Sequence, residues 1–89
     1  MKKIALVVPC FNEEETLNLF YDEVRKHLLP DYDYSFVFVD DGSRDGTLDA
    51  IKTLCAKDRN VRYLSFSRNF GKEAAIYAGL SAAKALKAD

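Results

Sequence analysis

The sequence is poor in the side chains that build metal centres and redox scaffolds, with one histidine, two cysteines and no tryptophan in 89 residues. Cys10 and Cys55 lie too far apart for a zinc knuckle, and His27 alone does not complete a site with them. Cys10 ends an apolar run and Cys55 sits in an amphipathic one, so both read as buried thiols of a reducing compartment. Charge of one sign is also lacking. With 13 basic and 14 acidic residues the formal net charge is -1, so no polyanion-binding surface is indicated and nucleic acid is not an expected partner. No stretch approaches the ~20 apolar residues of a membrane span. The opening MKKIALVVPC begins like a secretory leader, but its apolar part is short and acids follow at once, so it reads as a first strand.

Several familiar signatures are missing too. No G-x-G-x-x-G follows the first strand, which counts against the usual dinucleotide fold, and "GKE" at Gly71 lacks the rest of a P-loop. There is no G-x-S-x-G elbow. His27 falls amid charge near the end of the first predicted helix, where a solvated histidine favours the helix dipole.

What is present suits one small domain with a real core, since 48% of the residues are hydrophobic and 12% aromatic. Residues 4–8 form an apolar run rich in β-branched side chains, the mark of a strand covered on both faces. Asn12 is then placed to cap a helix, with Glu15 returning the capping-box contact. Leu17, Phe20, Val24 and Leu28 recur at helical spacing until Pro30 closes the helix, and "DYD" makes a turn. Residues 35–39 read as a second buried strand, and "DDGSRDG" as the loop after it. A second helix begins near Asp45 with Leu48, Ile51 and Cys55 inward, a third strand spans residues 61–66, and an alanine-rich helix spans residues 71–87. The order β-α-β-α-β-α predicts an α/β fold, a three-layer parallel sheet with helices on its faces. The sequence stops straight after a helix with three strands laid down, so it is expected to be part of a longer domain.

In open α/β sheets, ligands settle outside the carboxyl ends of the strands. Those ends are Pro9-Cys10-Phe11, Asp40-Asp41-Gly42 and Ser67-Arg68-Asn69. The stretch "FVFVDDGSRDGT" drives a buried strand into two adjacent carboxylates. Extended geometry points them different ways, one free to cap the next turn and the other to face a crevice. Alternatively both cap Gly42 and Ser43 as loop carboxylates. Glu13 is placed either to accept from a ribose or to favour a helix start. Arg68 and Lys72 supply positive charge for phosphate, or form a solvated basic loop.

Together these residues carry a resemblance. "VVPCFNEEETL" resembles the opening of family 2 glycosyltransferases, inverting GT-A enzymes that use nucleotide-diphosphate sugars, and is most similar to the polyprenyl-phosphate sugar transferases. "VDDGSRDGT" and "SFSRNFGKEAAIYAGLSAAK" resemble the motifs after their second and third strands. The likeness spans essentially the whole chain and implies the N-terminal, nucleotide-binding half of a GT-A domain over residues 1–89. It implies that Pro9, Phe11 and Glu13 line a base and ribose pocket, that Asp41 hydrogen-bonds the base and that Asp40 supports the loop. Arg68 and Lys72 would lie toward the ribose or diphosphate. The donor would be UDP- or GDP-linked, and the acceptor a polyprenyl phosphate, or alternatively a polysaccharide or other glycan. A non-catalytic nucleotide-binding or assembly module is a further alternative, as is a homo-oligomer paired through an open strand edge. The family's Mg²⁺ or Mn²⁺ is held by an Asp-x-Asp pair on a fourth strand, and a later carboxylate acts as base. Neither is expected within these residues. Asp89 matches the turn before that strand, so the chain by itself is expected to be inactive. The domain is expected to be cytoplasmic, with the parent at the cytoplasmic face of the membrane.

Overall fold

The computed structural model describes residues 2–85. Strand β1 (Lys2–Cys10), helix α1 (Leu17–Lys26), strand β2 (Tyr32–Asp40), helix α2 (Thr47–Lys57), strand β3 (Val61–Ser65) and helix α3 (Lys72–Ala85) follow in order. The three strands pair in parallel, in the order β1-β2-β3. Cys10 lies opposite Asp40, and Asp40 opposite Ser65, so the carboxyl ends of all three strands finish level at one edge.

The central strand explains the layers. Successive side chains of a strand point to opposite faces, and the Phe-Val-Phe-Val run of β2 has an apolar side chain at every position. Phe36 and Phe38 stack with ring centroids 5.7 Å apart and join Leu17, Ile51, Leu54 and Val61 under α1 and α2. Val37 and Val39 face the other way and pack with Ala75 under α3. Truncating the fully buried Phe36 to alanine would remove ~3–5 kcal/mol of stability. The alanine-rich composition of α3 follows from the same layering. Ala75, Gly79 and Ala83 are its buried positions, spaced four apart along one face. A Cβ on Gly79 would overlap Val7 Cγ1 and lie 3.2 Å from Val39 Cγ2, so glycine lets the helix sit directly on β1 and β2.

The boundaries depart from the sequence reading in informative places. Both β1 and β2 run longer than their apolar cores, because the pairing extends to Lys2 and Tyr32; of "DYD", Asp31 is turn as expected, whereas Tyr32 and Asp33 are strand. α1 starts at Leu17, not after Asn12, and Thr16 precedes it without a side-chain cap. Asn12 adopts a left-handed φ of 54° and spends its polar groups on the next loop, leaving the predicted capping box unformed. The helix ends at Lys26, ahead of Pro30, so Leu28 lies beyond it. Its inner face carries Tyr21 rather than Phe20. The Tyr21 ring packs 5.1 Å from that of Phe36, whereas Phe20 is 43% exposed. α2 buries Thr47, Ile51 and Leu54, with Cys55 only half-buried. Residues 86–87 of the third predicted helix and Asp89 lie outside the described residues.

Candidate functional site

The level strand ends leave three loops side by side. Residues 11–16 follow β1, residues 41–46 follow β2, and residues 66–71 follow β3. Asp40 and Asp41, both buried, divide the work of joining them. Asp40 Oδ1 accepts the Ser43 N–H at 3.3 Å, a turn within its own loop. The Asp41 carboxylate reaches across to the third loop. Its Oδ1 accepts the Phe70 N–H at 2.8 Å, and its Oδ2 accepts the Gly71 N–H at 3.1 Å and the Asn69 side-chain amide at 3.2 Å. Asn69 also donates to the Asp41 carbonyl. The two adjacent carboxylates thus point different ways, and only Asp40 caps the local turn.

Gly42 makes this approach feasible. Its φ of 72° is left-handed, and a Cβ there would overlap the Arg68–Asn69 backbone and lie 2.7 Å from Arg68 Cα. Across the other seam, the amides of residues 12–14 donate in succession to side chains of the second loop and of Thr47, which opens α2. Asn12 N–H binds Ser43 Oγ at 2.9 Å, Glu13 N–H binds Thr47 Oγ1 at 2.7 Å and Glu14 N–H approaches Asp45 Oδ2 at 3.3 Å. In return, Asn12 Oδ1 accepts the Arg44 N–H at 2.9 Å. The Thr47 hydroxyl donates to Asp45 Oδ1, and this bond, with the Thr47 and Glu14 amides, outweighs desolvation and holds the Asp45 carboxyl below its usual range.

Of the depressions that open over these loops, two gather the candidate residues from more than one loop. One, of about 190 Å³, is lined by Pro9, Cys10, Phe11, Glu13, Asp41 and Lys72. Five of the seven candidate residues read from the sequence therefore meet at a single place. The second, of about 340 Å³, adjoins it through Phe11 and holds Arg68, whose guanidinium lies 4.8 Å from the Phe70 ring centroid. Asp40 lines neither depression. Sequence reading passed over Asn12, Ser43 and Asn69 as site-building residues. Their signal was present, since Asn tolerates left-handed backbone and Asn and Ser side chains bind nearby loop amides, but the cross-loop partners lie 28 to 32 residues away in sequence.

The first depression combines an aromatic and proline wall, two carboxylates and one ammonium, a set suited to a polar ligand carrying N–H or O–H donors and negative charge. It holds no ready nucleophile. Burial, aided by the nearby Glu13 and Asp40 charges, pushes the Cys10 thiol up to about 12, so it stays protonated. Among the described residues no group of three or more His, Cys, Asp or Glu side chains is placed to hold a metal ion. Asp40 and Asp41 each hold N–H donors of different loops and do not converge as a pair, so the described residues do not fit the divalent cation that the resemblance implies.

Fold and crevice together define a GT-A-like α/β domain, a parallel sheet between helix layers with its loops converging at the strand ends. The chain belongs to glycosyl transferase family 2, matching that family over residues 5–85. It is 52% identical over 79 residues to the prophage bactoprenol glucosyl transferase homolog of Escherichia coli (strain K12), covering 88% of this chain and 26% of that protein. The bactoprenol glucosyl transferase of Shigella phage SfV matches with the same identity and coverage. The chain therefore spans about a quarter of the length of the curated relatives it matches. A crystal structure of S. aureus TarS, residues 1–349, superposes with a TM-score of 0.76 at 26% identity, over 91% of this chain and 24% of that one.

Proposed function

We propose that these residues form the donor-nucleotide pocket of an inverting enzyme that transfers a sugar from a nucleotide-diphosphate sugar to a polyprenyl phosphate, of the kind the names of the bactoprenol glucosyl transferases describe. The observation that carries this reading is the convergence of Pro9, Phe11, Glu13, Asp41 and Lys72 on one depression at the strand ends. In the proposed pose Phe11 and Pro9 pack on the base, Asp41 accepts a base N–H, Glu13 accepts a ribose hydroxyl, and Lys72 faces the diphosphate. Arg68 supplies further positive charge from the adjoining depression, and Asp40 supports the loop.

Counting acceptors supports a choice of base. A carboxylate accepts about four hydrogen bonds, and Asp41 already takes one on Oδ1 and two on Oδ2. One site remains, on Oδ1. A uracil imide offers a single N–H, whereas the guanine edge presents two parallel donors and would leave one unpaired. We therefore favour a UDP-linked donor over a GDP-linked one.

In the transfer, an acceptor phosphate oxygen attacks the anomeric carbon opposite the leaving group. The new carbon–oxygen bond forms as the bond to the nucleoside diphosphate breaks, inverting the centre. The Mg²⁺ or Mn²⁺ and the base of that step would come from parts of the intact enzyme outside these residues, working at the cytoplasmic face of the membrane. The test is to supply membranes containing the intact enzyme with radiolabelled UDP-glucose and bactoprenol phosphate. Label entering the organic phase, and lost with Asp41→Ala, is expected. Label entering only a water-soluble glycan would transfer the reading to the polysaccharide alternative.

A further inference from the structure

Asn12 stands between Phe11 and Glu13, two walls of the proposed pocket, yet its own polar groups are spent elsewhere. Its N–H goes to Ser43 Oγ and its Oδ1 to the Arg44 N–H, each at 2.9 Å. It is also the only non-glycine residue with positive φ among the described residues. That backbone reversal turns the chain between two pocket residues, and asparagine is among the few L-residues that adopt it readily. The next two amides continue the seam to Thr47 and Asp45. Three successive N–H groups are therefore consumed by side chains of the second loop and of the first residue of α2, and are not free to cradle a phosphate.

We infer that Asn12 is a positioning residue of the donor site. Its left-handed backbone and its paired bonds to Ser43 and Arg44 set the Phe11 ring and the Glu13 carboxylate relative to Asp41, which stands on the same loop as Ser43 and Arg44. The inference rests on the nucleotide reading given above, but the geometry it asserts is independent of any ligand. The bonds run both ways across the seam, one donated by the first loop and one returned by the second. Neither loop can shift without breaking one of them. A pocket with walls from two loops depends on this kind of cross-loop fixing, because small displacements of binding groups are felt strongly in affinity.

The test uses the 89-residue chain and three variants, Asn12→Ala, Asn12→Asp and Ser43→Ala, with ¹H–¹⁵N spectra recorded before and during titration with UDP. Alanine loses the acceptor and strains the left-handed backbone, and is expected to weaken UDP binding roughly tenfold. Aspartate keeps an acceptor for the Arg44 N–H and tolerates the φ, so it is expected to restore affinity to within about threefold of the parent. Ser43→Ala removes the other bond without touching the first loop's backbone and is expected to weaken binding in the same direction. In the free protein, Asn12→Ala should move the Asp41 and Arg44 amide resonances, which lie across the seam and about thirty positions away, a response that a purely local change would not produce. UDP affinity unchanged in Asn12→Ala, or equal losses in Asn12→Ala and Asn12→Asp, would overturn the inference. If the parent chain binds no nucleotide, the donor-site reading fails instead, and the free-protein spectra still decide whether Asn12 sets the two walls.

Discussion

The Asp41 carboxylate accepts the Phe70 amide at 2.8 Å, so a side chain at the end of β2 holds the loop that leaves β3. This relationship ties the fold to the candidate site, because the same carboxylate lines the depression where five candidate residues meet. Asp41→Ala is accordingly expected to have two effects. It leaves the Phe70 and Gly71 N–H groups without their acceptor, while the Asn69 amide keeps its bond to the residue 41 carbonyl, at a cost of about 2 kcal/mol in stability by urea unfolding, and it removes the proposed base acceptor. UDP affinity should fall by more than tenfold at a temperature where the variant is still folded. A variant as stable as the parent, with unchanged affinity, would dismiss both roles.

Gly42 provides a second test from the backbone side. Gly42→Ala places a methyl group against the Arg68–Asn69 backbone at a left-handed φ, and should destabilise the chain by at least ~2 kcal/mol. Amide exchange should accelerate first in residues 67–71. If thermal unfolding of the variant matches that of the parent, the close approach of these loops is wrong.

Acid sensitivity should concentrate at the α1–α2 clasp. Burial raises the Asp58 carboxyl, but the Tyr21 hydroxyl at 2.6 Å, the Asn60 amide and Arg25 at 2.9 Å together outweigh it and hold the group below its usual range. A depressed carboxylate contributes stability that is present above its unfolded pKa and is lost as the pH falls through the folded value. Asp58→Asn should therefore flatten the acid limb of a stability–pH curve below about pH 4. The Tyr21 hydroxyl is raised, first by burial and then by the bond to Asp58. Its contribution is present at neutral pH and declines as the pH climbs past about 10. An acid limb identical in Asp58→Asn and the parent would rule out this clasp as its source.

Cys10 should resist modification. Its thiol is pushed up to about 12 and is buried. Alkylation at pH 8 should reach Cys10 only in denaturant, as followed by peptide mass spectrometry. Because the thiol is raised, the stability it contributes is present below the ordinary thiol pKa of about 8.5 and drains away above it. Rapid native labelling of Cys10 would mean that the β1 end is open.

Much of the fold was legible because the period of the apolar pattern states the element. The unbroken run from Phe36 to Val39 announces a strand with two covered faces, and the alanine-rich run announces a third helix, whose buried Ala75, Gly79 and Ala83 only the structure sets against the sheet. The candidate residues were legible because the carboxyl ends of parallel strands gather at one edge. Fine partnering was not. Asn12 carries a good capping signature, but its competing bonds to Ser43 and Arg44 lie more than thirty positions away, where local pattern has no reach. Phe20 and Tyr21 both look apolar enough for the inner face of α1. The Tyr21 hydroxyl can reach Asp58 while its ring packs at a tilt against Phe36, and that selects Tyr21.

The most direct test is a ¹H–¹⁵N titration of the chain with UDP and, in parallel, GDP. The account predicts shifts gathered at Phe11, Glu13, Asp41 and Lys72, with smaller ones at Arg68, and tighter binding of UDP than of GDP. Shifts confined to the opposite end of the sheet, around Tyr32 and Tyr34, or no response to either nucleotide in a well-dispersed spectrum, would contradict it.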